Sequence, residues 1–169
     1  MTTPRPDSMV EANGADAAWP DLAGRIVAEP SGARQHVLPV RVYFEDTDFS
    51  GFVYHATYLR WCERGRSDFL RMIGVHHGDL LTGEGGASPA AFVVRRMQIE
   101  FRRPARIDEV VEVHTRVASL TAAVLTLAQD VWRDGIRLFD ATVDVVLVSL
   151  DGKPQRLDRR LGRELGPHD

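Results

Sequence analysis

His55-Ala56-Thr57-Tyr58-Leu59-Arg60-Trp61-Cys62-Glu63-Arg64-Gly65-Arg66-Ser67-Asp68-Phe69-Leu70-Arg71-Met72-Ile73 is the stretch whose periodicity decides the fold. Tyr58, Cys62, Gly65, Phe69 and Met72 or Ile73 recur at steps of three and four, and Leu59 and Trp61 widen the stripe, as in a helix with one buried face. At 1.5 Å per residue the helix would be about 28 Å long. Arg60, Glu63, Arg64, Arg66, Asp68 and Arg71 fall to the wet side, and Gly74 supplies a left-handed stop. Gly65 lies in the apolar stripe, where glycine costs about 1 kcal/mol relative to alanine. Close approach of the helix to a sheet would explain it, a merely tolerated glycine being the alternative.

On the amino-terminal side, Leu38, Val40, Val42 and Phe44 alternate with Pro39, Arg41 and Tyr43, the period of two that buries one face of a strand. A short polar loop, Glu45 to Gly51, joins this strand to the helix. On the carboxyl-terminal side a Gly-rich connector, Gly83 to Pro89, precedes four alternating runs. Val93, Met97, Ile99 and Phe101 form one face, followed by Val111, Val113, Thr115 and Val117. Leu125, Leu127 and Val131 lead to Asp134-Gly135, a strong hairpin signal, and Phe139, Ala141, Val143, Val145 and Leu147 complete the last run. Short connections make neighbours antiparallel. One strand, one long helix and four more strands give an α+β plan: a curved five-stranded antiparallel sheet wrapped around one helix.

The ends read differently from this core. Residues 1–33 are rich in Ala, Pro, Gly and Asp and cannot repay the entropy of ordering by themselves, so they are expected to be a mobile arm before a domain over 34–152. Residues 153–169 are a charged tail, with Leu157, Leu161 and Leu165 at the spacing of a short helix. Apolar types at 44% and charged types at 27% of 169 residues match a globular chain rather than a disordered one. A net charge of −3, from 21 basic and 24 acidic residues, argues against a broad nucleic-acid footprint. The single cysteine, Cys62, excludes an intramolecular disulfide framework. The first thirty residues lack the apolar core of a signal peptide, and no run of about 18 apolar residues forms a membrane span. The expected location is cytoplasmic.

The densest polar cluster is Glu45-Asp46-Thr47-Asp48, with His55 seven residues further on. A carboxylate in a loop that runs into a helix start sits beside unpaired backbone N–H groups and the positive end of the dipole. Such N–H groups stabilise a developing oxyanion, while the carboxylate attacks a carbonyl or activates water. The plainer role of an Asp before a helix is a cap.

The run from Tyr43 through Glu45-Asp46-Thr47-Asp48, Gly51-Phe52-Val53-Tyr54-His55 and Tyr58-Leu59, followed by Glu63-Arg64-Gly65-Arg66, resembles the signature of the hotdog-fold acyl-CoA thioesterases. Within them it is most similar to the 4-hydroxybenzoyl-CoA thioesterase branch and its tol-pal-associated subgroup. Phe92 to Met97 and Arg103 to Val110 extend the resemblance over about residues 36–150. It implies a hotdog fold, hydrolysis of an acyl-CoA without metal or organic cofactor, and homodimers or homotetramers. It carries the catalytic carboxylate onto Asp48, the carbonyl-polarising backbone N–H onto His55, and a functional side chain onto His55 as well. Gly51, Val53 and Tyr54 become substrate-binding positions. Where the subgroup commonly has a second tyrosine before the acids, this chain has Phe44, so any hydroxyl from that position is missing.

Arg95, Arg96, Arg102, Arg103 and Arg106 crowd one strand and its turn. They read either as solvated strand decoration or as a clamp for the phosphates of coenzyme A, with Arg95 and Arg96 as the substrate-binding pair. Alternation sets Arg95 and Arg103 on one face and Arg96 and Arg102 on the other. Glu63, among arginines, reads as surface pairing. His76-His77 lack partners in metal-ligand spacing, and Cys62 in the apolar stripe reads as packing. Rival functions are a hotdog enoyl-thioester hydratase or dehydratase using His55 with Glu63, a non-catalytic acyl-thioester binder, and a structural partner at the cell envelope.

Overall fold

The computed structural model describes residues 22–28, 34–83, 88–157 and 159–165. Eleven strand and helix segments follow along the described residues. Strand β1 (Arg25–Ala28) and strand β2 (Arg34–Arg41) precede a 3-10 turn (Phe44–Asp46) and helix α1 (His55–Met72). Helix α2 (His77–Thr82), strands β3 (Ala90–Phe101), β4 (Val110–Leu120), β5 (Val124–Arg133), β6 (Ile136–Ser149) and β7 (Pro154–Gln155), and helix α3 (Arg159–Leu165) follow. The sheet runs β1-β2-β4-β5-β6-β3 with β7 beside β6, every pair antiparallel. One long helix on one face of this sheet is the hotdog architecture. The apolar stripe is where periodicity put it: Tyr58, Trp61, Cys62 and Phe69 are buried against Val111, Val113, Leu125, Leu127, Val131, Phe139 and Val143.

At Gly65, α1 lies close against strand β4 of the sheet. A Cβ there would sit 3.1 Å from both Thr115 Oγ1 and Val113 Cγ1 on β4, a tight fit that would push these side chains back by a few tenths of an ångström. At the carboxyl end Gly74 takes a φ of 84°, the left-handed stop expected after the last turn.

Four readings need correction. The sheet has seven strands rather than five, because β1 and β7 are too short to carry a readable alternation. Residues 25–28, placed in the arm, pair with Arg34–Val37, while residues 1–21 lie outside the described residues. The charged tail adds the unforeseen strand β7, while the short helix suggested by its leucine spacing is present as α3, which buries Leu161 and Leu165 in the main core. Arg66, assigned to the wet side, is only 6% exposed.

Strand β3 also departs from simple alternation. Its register shifts between Val94 and Arg96, so Arg95 is the extra residue of a bulge and the two-face division of the arginines breaks there. As an edge strand it leaves Val93, Val94, Ile99 and Phe101 between 40% and 46% exposed.

Beneath β1, His36 is fully buried, and its Nε2 lies 2.9 Å from Asp68 Oδ2 on α1. Gly24 leads into β1 directly over this pair, and Asp68 also holds Arg71 at 3.0 Å. Thr115 of β4 and Ile26 of β1 are the flanking strand partners, and neither titrates. Burial lowers the His36 pKa from 6.5 despite Asp68, and Nδ1 has no hydrogen-bond partner among the described residues. The neutral ring therefore favours the folded state. Its contribution is complete above the unfolded pKa and is lost as pH falls through the lowered folded value. Urea unfolding at pH 7.5 and pH 5 should show a larger loss of stability in the native chain than in His36→Gln. Equal losses would assign the acid sensitivity elsewhere.

Candidate active site

The loop between the 3-10 turn and α1 is a tight hairpin whose legs are closed by a Thr47–Val53 bridge. The Asp48 amide donates to the Phe52 carbonyl at 3.0 Å, and the Gly51 amide donates to the Asp48 carbonyl at 3.0 Å. Gly51 sits at φ 76°, a conformation that favours glycine. Asp48 opens the turn of this hairpin and is exposed. Its Oδ1 accepts the Ser50 amide at 2.8 Å and the Ser50 hydroxyl at 2.5 Å, an Asx-type turn. Its Oδ2 carries no hydrogen bond among the described residues.

The Ser50 hydroxyl, then the Ser50 amide, hold the Asp48 carboxyl below its usual pKa, and the charge of His55 adds a smaller pull in the same direction. Asp48 is therefore ionised at neutral pH. It is not a cap. The residue preceding α1 is Tyr54, no side chain caps the helix, and its first turn holds no acid. The leading amides of α1, at His55 and Ala56, have no carbonyl within the helix to bond. An ionised carboxylate with one free oxygen and an uncapped helix start thus flank one loop.

Asp46 has a different task. Buried, it accepts the Tyr43 amide through Oδ2 at 2.9 Å, and its carbonyl accepts the Tyr54 amide at 2.9 Å and the Thr57 hydroxyl at 3.3 Å. It ties the loop to the first turn of α1. The exposed His55 imidazole lies between Tyr54, at 4.3 Å between ring centroids, and Phe101 of β3, at 6.3 Å and edge-on.

The remaining candidates separate. Asp48, Gly51, Val53, Tyr54 and His55 share the loop and helix start. Arg95 and Arg96 are exposed on β3 and make no ion pair among the described residues. Arg102 is bound to Asp140 and to Glu100. Arg106 is the arginine brought to the loop: it bridges Phe52 and lies 4.3 Å over that ring. Glu63 accepts from Arg66 and, at 3.0 Å, from the Ser67 hydroxyl. It stands eight residues beyond His55, about 12 Å along the axis, so the two do not form the pair a hydratase would need. Burial pushes the Cys62 thiol up to about 12, which removes it as a nucleophile at neutral pH.

Two participants escaped sequence reading. Ser50, as the second residue after an acid, carries an Asx-turn signal that was available. Tyr58, whose hydroxyl accepts the Ala105 amide at 2.8 Å, looked like core packing and gave no such signal.

A family model described as Thioesterase superfamily matches residues 50–139. The chain belongs to the thioesterase superfamily. It is 38% identical over 128 residues to a protein of Escherichia coli called acyl-CoA thioester hydrolase YbgC, covering 75% of this chain and 92% of that one. It is 38% identical over 112 residues to acyl-CoA thioesterase YbgC of Haemophilus influenzae, covering 66% and 79%. The crystal structure of a probable thioesterase from Bartonella henselae matches with a TM-score of 0.70 at 44% identity, over 73% of this chain and 99% of that one. In this thioesterase-superfamily chain the family match begins two residues after Asp48 and takes in the whole of α1. No helix among the described residues is long and apolar enough to cross a membrane.

Proposed function

We propose that this protein is an acyl-CoA thioesterase in which Asp48 and the start of α1 carry the reaction. The observation that supports this most directly is the free Oδ2 of an ionised Asp48 beside an uncapped helix N-terminus. The thioester carbonyl accepts from the His55 backbone N–H and the helix dipole, which stabilise the negative charge that develops on its oxygen. Asp48 then acts in one of two ways. It attacks the acyl carbon, expelling the thiolate of coenzyme A and leaving a mixed anhydride that water cleaves, or it takes a proton from the water that attacks. Either route consumes one water and yields a carboxylate and free coenzyme A, with no cofactor required.

Gly51, Val53 and Tyr54 line the approach to the carbonyl, while Arg95 and Arg96 of β3, unpaired among the described residues, offer guanidinium groups to the phosphates of coenzyme A. A free Cys62 thiol fits a cytoplasmic setting.

Asp48, Tyr54 and His55 are all exposed in a single chain, and the edge strand β3 displays unpaired backbone beside an apolar row. A homodimer, alone or within a homotetramer, would pair that edge and enclose the thioester. Thiol release from short, long and aromatic acyl-CoAs, with light scattering at the assay concentration, tests both parts. Hydrolysis by a species of at least twice 18.9 kDa is expected. Acyl-CoA binding without thiol release would leave a non-catalytic binder, and full activity in a monomer would remove the shared site.

A further inference from the structure

The Asp48 hairpin is fastened to α1 at two points. One is Asp46, as described above. The other runs through a buried hydroxyl. Tyr58 lies one turn into α1 with its ring stacked on Phe139, 5.5 Å between centroids and 18° from parallel, and edge-on to Trp61 at 5.4 Å. These contacts hold the ring on two sides, and its hydroxyl reaches the segment between β3 and β4. There it accepts the amide of Ala105, a residue with no exposed surface. The Ala105 carbonyl in turn accepts the Val53 amide at 2.9 Å, and Phe52 bridges Arg106 next door. Val53 is the leg of the hairpin that closes on Thr47, and Phe52 accepts the Asp48 amide.

We propose that Tyr58 is a positioning residue for hydrolysis: through Ala105 and Val53, its hydroxyl sets where the Asp48 carboxylate stands relative to the first amides of α1. This inference rests on the reading of Asp48 as the reacting carboxylate. The physical reason is that the helix start is fixed by the core whereas the hairpin tip is exposed and short. Without the hydroxyl, the buried Ala105 N–H has no acceptor, and the β3–β4 segment must move to hydrate it. Val53 moves with its partner, and Asp48 moves with Val53. A displacement near 1 Å at a reacting group costs up to about a hundredfold in rate.

Tyr58→Phe keeps the ring and its stacking and removes one oxygen. Steady-state thiol release, measured well below the unfolding transition, should show kcat reduced by about ten- to a hundredfold with KM unchanged within a factor of about two, because the groups that hold coenzyme A are untouched. Val143→Ala serves as the comparison, a fully buried residue on β6 outside the relay. It should lower the melting temperature while leaving kcat at the native value. An unchanged kcat in Tyr58→Phe would overturn the proposal. So would equal losses of kcat in both variants, which would mark a general effect of destabilisation, or a raised KM with kcat preserved. Asp48→Asn separates this inference from the reading beneath it. If that variant is inactive while Tyr58→Phe is unimpaired, the relay alone fails. If Asp48→Asn stays active, the assignment of Asp48 fails first.

Discussion

Asp48→Asn is expected to lower thiol release by three orders of magnitude or more while leaving the fold intact. The amide is nearly the same size, and Asn at this position keeps an oxygen to accept from the Ser50 amide and hydroxyl, so the hairpin retains its turn. What disappears is the ionised oxygen that has no hydrogen bond, and an amide serves neither as nucleophile nor as base. The roughly thousandfold figure follows from the typical worth of a positioned base, about 10²–10⁴. His55→Ala should be milder, since the N–H that polarises the carbonyl belongs to the backbone and survives the change. Circular dichroism with steady-state kinetics on both variants checks the pair. Near-native turnover in Asp48→Asn would remove Asp48 from the chemistry. A greater loss in His55→Ala than in Asp48→Asn would make the imidazole the principal group.

The order of these effects reflects what the chain displayed before it was folded. Helix α1 was legible because burial of one face imposes a three- and four-residue repeat, and its observed span, His55–Met72, ends one residue short of the reading. Strands β4, β5 and β6 were legible for the same reason at period two, whereas the row read for β2 ran on to Phe44, which lies in the 3-10 turn and is 83% exposed, and β3 breaks step at its bulge. Strand β1 was not. Four residues that bury little cannot write a pattern, and their order comes from pairing with β2 and from Gly24 fitting over the His36–Asp68 pair. Arg66 misled because a charged residue normally marks the wet face, and its burial is tolerable because the distant Gln129 accepts from its inner end while Glu63 accepts from its outer one. The bulge at Arg95 was hidden because one extra residue leaves composition and apolar count unchanged while reversing every later assignment of face.

The site was legible in its acids and opaque in its supports. Asp48, Gly51 and His55 stand within eight consecutive residues, so the resemblance of that stretch to a known signature pointed to them together. The Tyr58 hydroxyl and the Ala105 amide are 47 positions apart, and no local spacing announces a bond between them. Arg106 was grouped with four other arginines by proximity in sequence. Only the Phe52 bridge singles it out as the one at the loop.

The second large effect concerns stability and centres on Gln129, fully buried on β5. Its Oε1 accepts from Arg66 Nη1 at 2.7 Å, and its Nε2 donates to the Cys62 carbonyl and to Thr115 Oγ1, both at 2.9 Å. Arg66 also donates to Glu63, whose side chain is 57% exposed, so the guanidinium runs from the wet face of α1 into the core. Gln129→Leu leaves the inner end of that charge without an acceptor and Thr115 without its donor. The expected cost is on the order of 3 kcal/mol, the scale for breaking a buried charged interaction from one side. Arg66→Met combined with Gln129→Leu should recover most of the loss, because an apolar pair of similar volume carries no desolvated charge. Urea unfolding of the native chain, both single variants and the double variant completes the cycle. If the double variant is no more stable than Gln129→Leu, the loss comes from packing around β5 rather than from the stranded guanidinium. Recovery would trace the loss to the stranded guanidinium rather than to the missing bonds, in a network that reaches the Cys62 carbonyl and Thr115 beside Gly65.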